Sequence, residues 1–326
     1  MRSKRAFPRG HVQRPEKRLA SSPRALLAIA LLASSMWACR TPAVHPAPAA
    51  LIDWSAEDSS RVAWLTTHGR TVRGRYAIVV APADSLTDAA QRALTDSIDR
   101  GVTALRRLMG APYSWMRIAD RPITFYVSPE RFVSHASGRG ETFLSLWRVR
   151  GGQAPILHEA SHELLAPPAP FDPDEYADTL AGNRLSERWP LWLTEGLPDY
   201  LAQTVAAEEH LHEGDVFTIG GLAAVDSVCA ARASAHPRHA EWLATIGATG
   251  EPRTLFTSER ATLAPAFYAC SQSMTKFLVD RIGVTRTVAL FPALKAGTWE
   301  QDIARAAGMP LAELRRRWLQ QLRLAE

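Results

Sequence analysis

The run GRYAIVV (74–80) is dense in β-branched and aromatic residues, and the Ala81-Pro82-Ala83-Asp84 that follows stops it, which is the pattern of a strand. From Ser85 the period changes. Leu86, Ala90, Leu94, Ile98, Val102, Leu105 and Met109 recur at steps of three and four, predicting a long amphipathic helix closed by Gly110 and Pro112. PITFYV (122–127) predicts a second strand, and beyond a Gly/Ser-rich break ETFLSLWRV (141–149) predicts a third. Gly151 and Gly152 separate that strand from ILHEASHELL (156–165), which is helical in period until APPAP ends it. Residues 171–189 are polar, acidic and punctuated by Pro and Gly, the composition of a long loop. A helical pattern resumes over 189–207 and again over 268–282, 285–294 and the late AELRRRWLQQL (312–322).

Strand, helix, strands and then mostly helices is the order of an α+β fold. The expected architecture is a small mixed sheet packed on the helix at 156–165, followed by a mainly helical half. The corresponding division is a leader (1–38), a tether and N-terminal extension (39–70), a first domain (71–207) and a helical C-terminal domain (208–326).

Charge changes the picture only at the N-terminus. The 38 Lys and Arg exceed the 33 Asp and Glu, but residues 1–38 alone hold eight of the cations and one acid, Glu16. The rest of the chain therefore carries 30 basic and 32 acidic residues, and the formal charge of +5 gives no support to nucleic-acid binding. The basic stretch leads into an apolar run at 25–38 that is short for a membrane span and ends in small residues, as an export signal does. Met36-Trp37-Ala38-Cys39 resembles the lipobox of bacterial lipoproteins, which implies a lipid on Cys39, export to the cell envelope and anchoring to a membrane; plain cleavage or an uncleaved anchor are the other readings. TPAVHPAPAA (41–50) then suits a tether. Cys229 and Cys270 are the remaining cysteines, open to pairing in an exported protein or to being two buried thiols.

Candidate chemistry is concentrated in ILHEASHELL. Residues four apart stack on one helix face, so His158 and His162 can offer imidazoles to a single ion, while Glu159, about 100° round the helix, can serve as a base without ligating it. The plainer reading makes the histidines core residues and Glu159 and Glu163 a solvated edge. A catalytic zinc needs a third protein ligand. A third histidine in the HExxHxxGxxH pattern is excluded, because Leu165 and Pro168 stand where Gly and His would be. Of the acids downstream, Asp172, Asp174, Glu175, Asp178 and Glu187 lie in the polar stretch, whereas Glu195 sits among apolar residues in PLWLTEGLPDYLA. Asp199, one turn later, is placed to accept the spare N–H of a ligating imidazole.

HEASH followed by WLTEGLPDY resembles the gluzincin zinc metallopeptidases, and most of all the bacterial peptidase MA-like group with its W-L-x-E-G-x-x-x-Y motif. The resemblance covers roughly residues 71–326 and is most specific at 156–165 and 189–201. It implies a zincin-like catalytic domain holding one zinc ion per chain on His158, His162 and Glu195, with Glu159 as general base and Asp199 steadying a zinc histidine. Pro198 departs from the pattern and predicts a helix start near Gly196 or a bend there. Tyr268 is the candidate donor to the oxyanion, with Tyr200 and His210 behind it. The 141–149 strand is expected to offer an edge to an extended peptide or protein substrate. The competing function is a membrane-tethered, non-catalytic binding or scaffold lipoprotein of the same fold. His212, His236 and His239 read as polar loop residues.

Overall fold

Valine- and alanine-rich β2 (Ala77–Pro82) begins three residues later than the 74–80 pattern and pairs on both sides. The protein is described by a computed structural model over residues 54–110, 121–166, 190–214, 221–235, 264–293 and 298–324. The leader, Cys39, the tether, the 171–189 stretch, His236 and His239 lie outside the described residues. No helix among the described residues is long and apolar enough to cross a membrane.

The fold is α+β. Helix α1 (Trp54–His68) runs into β1 (Gly69–Arg73), then β2, α2 (Asp88–Met109), β3 (Ile123–Ser128), β4 (His135–Ala136) and β5 (Glu141–Ser145). Among the described residues the helices that follow are α3 (Leu146–Arg150), α4 (Ile156–Leu165), α5 (Leu191–Glu208), α6 (Gly221–Ala235), α7 (Ala264–Ile282), α8 (Val284–Ala293), α9 (Trp299–Ala307) and α10 (Leu311–Gln321). The five-stranded sheet has the order β1-β2-β3-β5-β4, with β2, β3 and β5 parallel and the two flanking strands antiparallel to their neighbours.

Strand side chains alternate between faces. Ala77, Val79 and Ala81 of β2, Ile123, Phe125 and Val127 of β3 and Leu144 of β5 therefore share one buried core with Ile98, Val102, Leu105 and Met109 of α2 and with Leu157, Ala160 and Leu164 of α4. The expected helix at Ser85 starts at Asp88, where the Thr87 hydroxyl accepts the Ala90 N–H at 3.1 Å. Its first turns bury Gln91 and Thr95 where the pattern suggested Ala90 and Leu94. The reason is a polar demand: the Gln91 amide donates to the backbone carbonyls of Arg70 and Val79 at 2.7 and 3.0 Å, tying helix to sheet.

Three expectations change. The third strand stops at Ser145, and the LWRVR that follows is helix α3. Its neighbour β3 ends at the register pair Ser128–Ser145, so nothing continues the ladder, and the backbone closes on itself. Nor is that strand the edge. Gly138 and Gly140, at φ 72° and 92°, turn the chain so that β4 folds against β5 and takes the edge position. Finally, α5 starts at Leu191 and carries Pro198 inside it, so the start near Gly196 is not adopted.

Helices α5 and α7 pack closely because Gly196 has no side chain: a Cβ there would collide with the Ser271 carbonyl and the Thr275 hydroxyl of α7. Cys229 of α6 and Cys270 of α7, both fully buried, are joined in a disulfide.

Candidate metal centre

Helix α4 is nearly surrounded by protein, which is unusual for ten residues that include two histidines and two glutamates. His158, Glu159 and His162 keep only 8%, 5% and 3% of their surface exposed, and Glu195 of α5 keeps 3%. Such groups need partners. One ligand atom from each of His158, His162 and Glu195 lies within 4.8 Å of the others, and this is a possible metal-binding cluster among the described residues.

The triangle is tight. The two Nε2 atoms are 3.0 Å apart, and Glu195 Oε2 lies 3.6 Å from that of His158 and 3.7 Å from that of His162. A tetrahedral zinc with bonds of about 2.0–2.1 Å has ligand–ligand edges of about 3.3 Å, so two imidazoles and a carboxylate at these separations fit that ion in size and in donor chemistry.

Asp199 stands one turn after Glu195 on α5, and its Oδ1 is 2.6 Å from His158 Nδ1. A carboxylate can only accept, so Nδ1 carries the proton and Nε2 faces the cluster. Pro198 has not displaced this acid. Burial alone would lower the pKa of His158, but Asp199 first, then Glu195 and Glu159, hold it well above the ordinary histidine value. Burial alone would likewise raise Glu195, whereas the hydrogen bonds and charges of the two imidazoles bring it down to about 2. Burial raises Glu159 above the usual carboxylate range, against the opposing pull of His158, His162 and His135. An elevated carboxyl suits a base that must take and return a proton near neutrality.

Tyr268 of α7 reaches the cluster. Burial raises its phenol well above the usual value, and the carboxylates of Glu195, Asp199 and Glu159 add to the effect, with a hydrogen bond to Glu195. It is thus kept as an O–H donor. Tyr200 instead faces Thr204, Asp280 and Lys276, and His210 lies exposed in the turn after α5 at φ 52°. Neither joins the cluster. His212 bonds the Gly152 carbonyl.

Two acids that sequence reasoning passed over support α4 from its ends. Glu213 accepts the Leu157 N–H at 2.9 Å and the His158 N–H at 3.0 Å, capping the first turn; burial pushes its carboxyl up to about 8 despite those bonds. Glu163 is fully buried and accepts the backbone N–H groups of Gly138 and Gly140 at 2.8 and 2.7 Å, clamping the β4–β5 turn to the helix that carries both histidines. Burial pushes it up to about 7, against the pull of the Gly140, Gly138 and Ser137 groups. Glu163 is therefore no solvated edge, and the Leu164-Leu165 beside it was the available signal. Glu213, in the polar EEHLHEGD, had none.

No protein-family model matches the chain, and no curated protein sequence matches it significantly. Among solved structures it is similar to a substituted M1 zinc metallopeptidase from Deinococcus radiodurans bound to a Tyr-Ser-Ala substrate, with 13% identity and a TM-score of 0.40. The match covers 77% of this chain and 51% of that one, so the chain spans about half the length of the protein it resembles.

Proposed function

We propose that the protein is a zinc-dependent metallopeptidase that hydrolyses peptide bonds. The observation that carries this reading is the buried triangle of His158, His162 and Glu195, with Glu159 beside it on α4 and Asp199 fixing the His158 ring. His158, His162 and Glu195 would hold the ion. When bound, zinc would supply Lewis acidity, bringing a water within reach of ionisation near neutral pH.

The chain's own groups account for the remaining steps. Glu159, raised by burial, takes the proton of the attacking water and passes it to the departing amine. Tyr268 keeps its proton and donates to the oxygen on which negative charge develops. Asp199 holds His158 in one tautomer throughout, and Glu195 stays anionic. The sheet edge near which an extended peptide would run is the short strand β4. An exported chain tethered by a lipid on Cys39 belongs to the same proposal.

The test is zinc content beside peptide hydrolysis in wild type, Glu195→Ala and Glu159→Gln. One zinc per wild-type chain, reduced by Glu195→Ala and retained without turnover by Glu159→Gln, is the expected result. An undiminished rate in Glu159→Gln would refute the role of the base. Zinc binding in a wild type that hydrolyses no peptide would favour the non-catalytic scaffold instead.

A further inference from the structure

Helix α4 begins without a cap of its own. Pro155 precedes it and has no side-chain acceptor to offer. The N–H groups of a helix's first turn have no partner inside the helix, and with a proline at the cap three remain, those of Ile156, Leu157 and His158. Ile156 donates to the Ala154 carbonyl at 3.0 Å. The other two donate to Glu213, which comes from 55 and 56 residues further along the chain. Glu213 is the middle of a strap that follows α5. On one side the His212 ring donates to the Gly152 carbonyl, and on the other the Gly214 N–H donates to the Ala154 carbonyl at 3.1 Å. A Cβ on Gly214 would collide with the backbone of Gln153 and Ala154, so the strap lies directly on the approach to α4. The helix it leaves carries Glu195 and Asp199. His158 is therefore held twice by one stretch of chain, at its ring by Asp199 at 2.6 Å and at its N–H by Glu213 at 3.0 Å.

A first turn stripped of its acceptors frays, and His158 sits in that turn while His162 sits one turn deeper. The separations of its Nε2 from His162 Nε2 and Glu195 Oε2, 3.0 and 3.6 Å, thus depend on the turn staying closed. We propose that Glu213 is a positioning residue of the metal centre: acting through the His158 backbone, it keeps that imidazole at the distance a bound ion requires, and the strap after α5 thereby fastens one ligand-bearing helix to the other. The inference rests on the reading of His158, His162 and Glu195 as a zinc site, and not on peptide hydrolysis.

The test separates reach from charge. Glu213 Oε1 alone lies 3.1 and 3.0 Å from the two nitrogens, so Glu213→Gln keeps an acceptor in place without the charge, whereas Glu213→Asp keeps the charge and falls a methylene short. Zinc affinity of the full chain is measured by competition with a chromogenic chelator, ligand geometry by the visible absorption of the cobalt-loaded chain, and stability by urea unfolding of the metal-free chain. Glu213→Gln should stay within about threefold of the wild-type affinity, and Glu213→Asp should bind zinc about tenfold more weakly with an altered cobalt spectrum. Gln91→Ala, which cuts the buried tie between α2 and the sheet, should lower stability and leave affinity and spectrum alone. A Glu213→Asp chain that loses stability but keeps the wild-type affinity and spectrum makes Glu213 a helix cap and nothing more, which overturns the proposal. A loss of tenfold or more in Glu213→Gln means that the carboxylate acts by its charge, and overturns it also. So does a Gln91→Ala affinity as weak as that of Glu213→Asp, since any loosening would then suffice. A wild type that takes up no zinc removes the metal centre and this proposal together, and is seen before any variant is compared.

Discussion

Replacing Asp199 by alanine isolates how much the orienting carboxylate contributes to metal affinity. The bond to be lost is the 2.6 Å contact between Oδ1 and the His158 Nδ1–H, with the acid's side chain retaining 19% of its surface. Removing such a partner typically weakens metal binding about 10- to 100-fold, or ~1.4–2.7 kcal/mol, and partial exposure to water places Asp199→Ala nearer the lower figure. A second effect opposes the first. Asp199 is the foremost group raising the proton affinity of His158, so wild type must displace a proton that the variant holds less firmly. The deficit should therefore be smaller at pH 6 than at pH 9, where protons compete less for His158. Asp199→Asn keeps an acceptor oxygen without the charge and should fall between the two. The assay is competitive titration with a chromogenic zinc chelator at pH 6, 7.5 and 9. An Asp199→Ala affinity equal to wild type at pH 9 would refute the orienting role.

Three further outcomes follow from the same geometry. Because the folded, metal-free chain holds a proton on His158 above the usual histidine range, zinc uptake at pH 7 should release it, read as a heat that differs between calorimetric buffers of different ionisation enthalpy. Glu163→Ala leaves the Gly138 and Gly140 N–H groups buried without their acceptor and should cost about 3 kcal/mol in urea unfolding, with Glu163→Gln milder; a loss under about 0.5 kcal/mol would mean the turn does not need its clamp. Reducing the Cys229–Cys270 disulfide, which spans 41 residues, should lower stability by about 4 kcal/mol while zinc content stays the same.

Helices α2, α4 and α5 could be read from the sequence because their apolar residues recur at helical spacing, on one face of α2 and all round α4 and the start of α5. The candidate cluster was readable for the same reason: i and i+4 on a helix meet whatever lies around them, so His158 with His162, and Glu195 with Asp199, are pairs fixed by spacing. What escaped is what distant partners decide. LWRVR alternates like a strand, and only the end of β3 at Ser128 makes it a helix. Strand β1, GRTVR, is an edge with few apolar positions, and the Ala-rich α6 has little amphipathic contrast. Glu163 and Glu213 serve backbone groups 23 to 56 residues away, a relation that no local window contains.

The missing side chain at Gly196 sets a length scale for the metal. Glu195 is the neighbour of the residue at which α5 meets the α7 backbone, so the distance from its carboxylate to the two imidazoles on α4 is governed by how closely three helices nest. A cage fixed this way acts as a caliper. At edges of 3.0 to 3.7 Å it matches a small four-coordinate ion, whereas calcium, with oxygen contacts of about 2.3–2.6 Å and six to eight ligands, would need the helices spread apart. Selection among ions would thereby be delegated in part to helix packing, and a methyl group at position 196 would act on a bound metal without touching it.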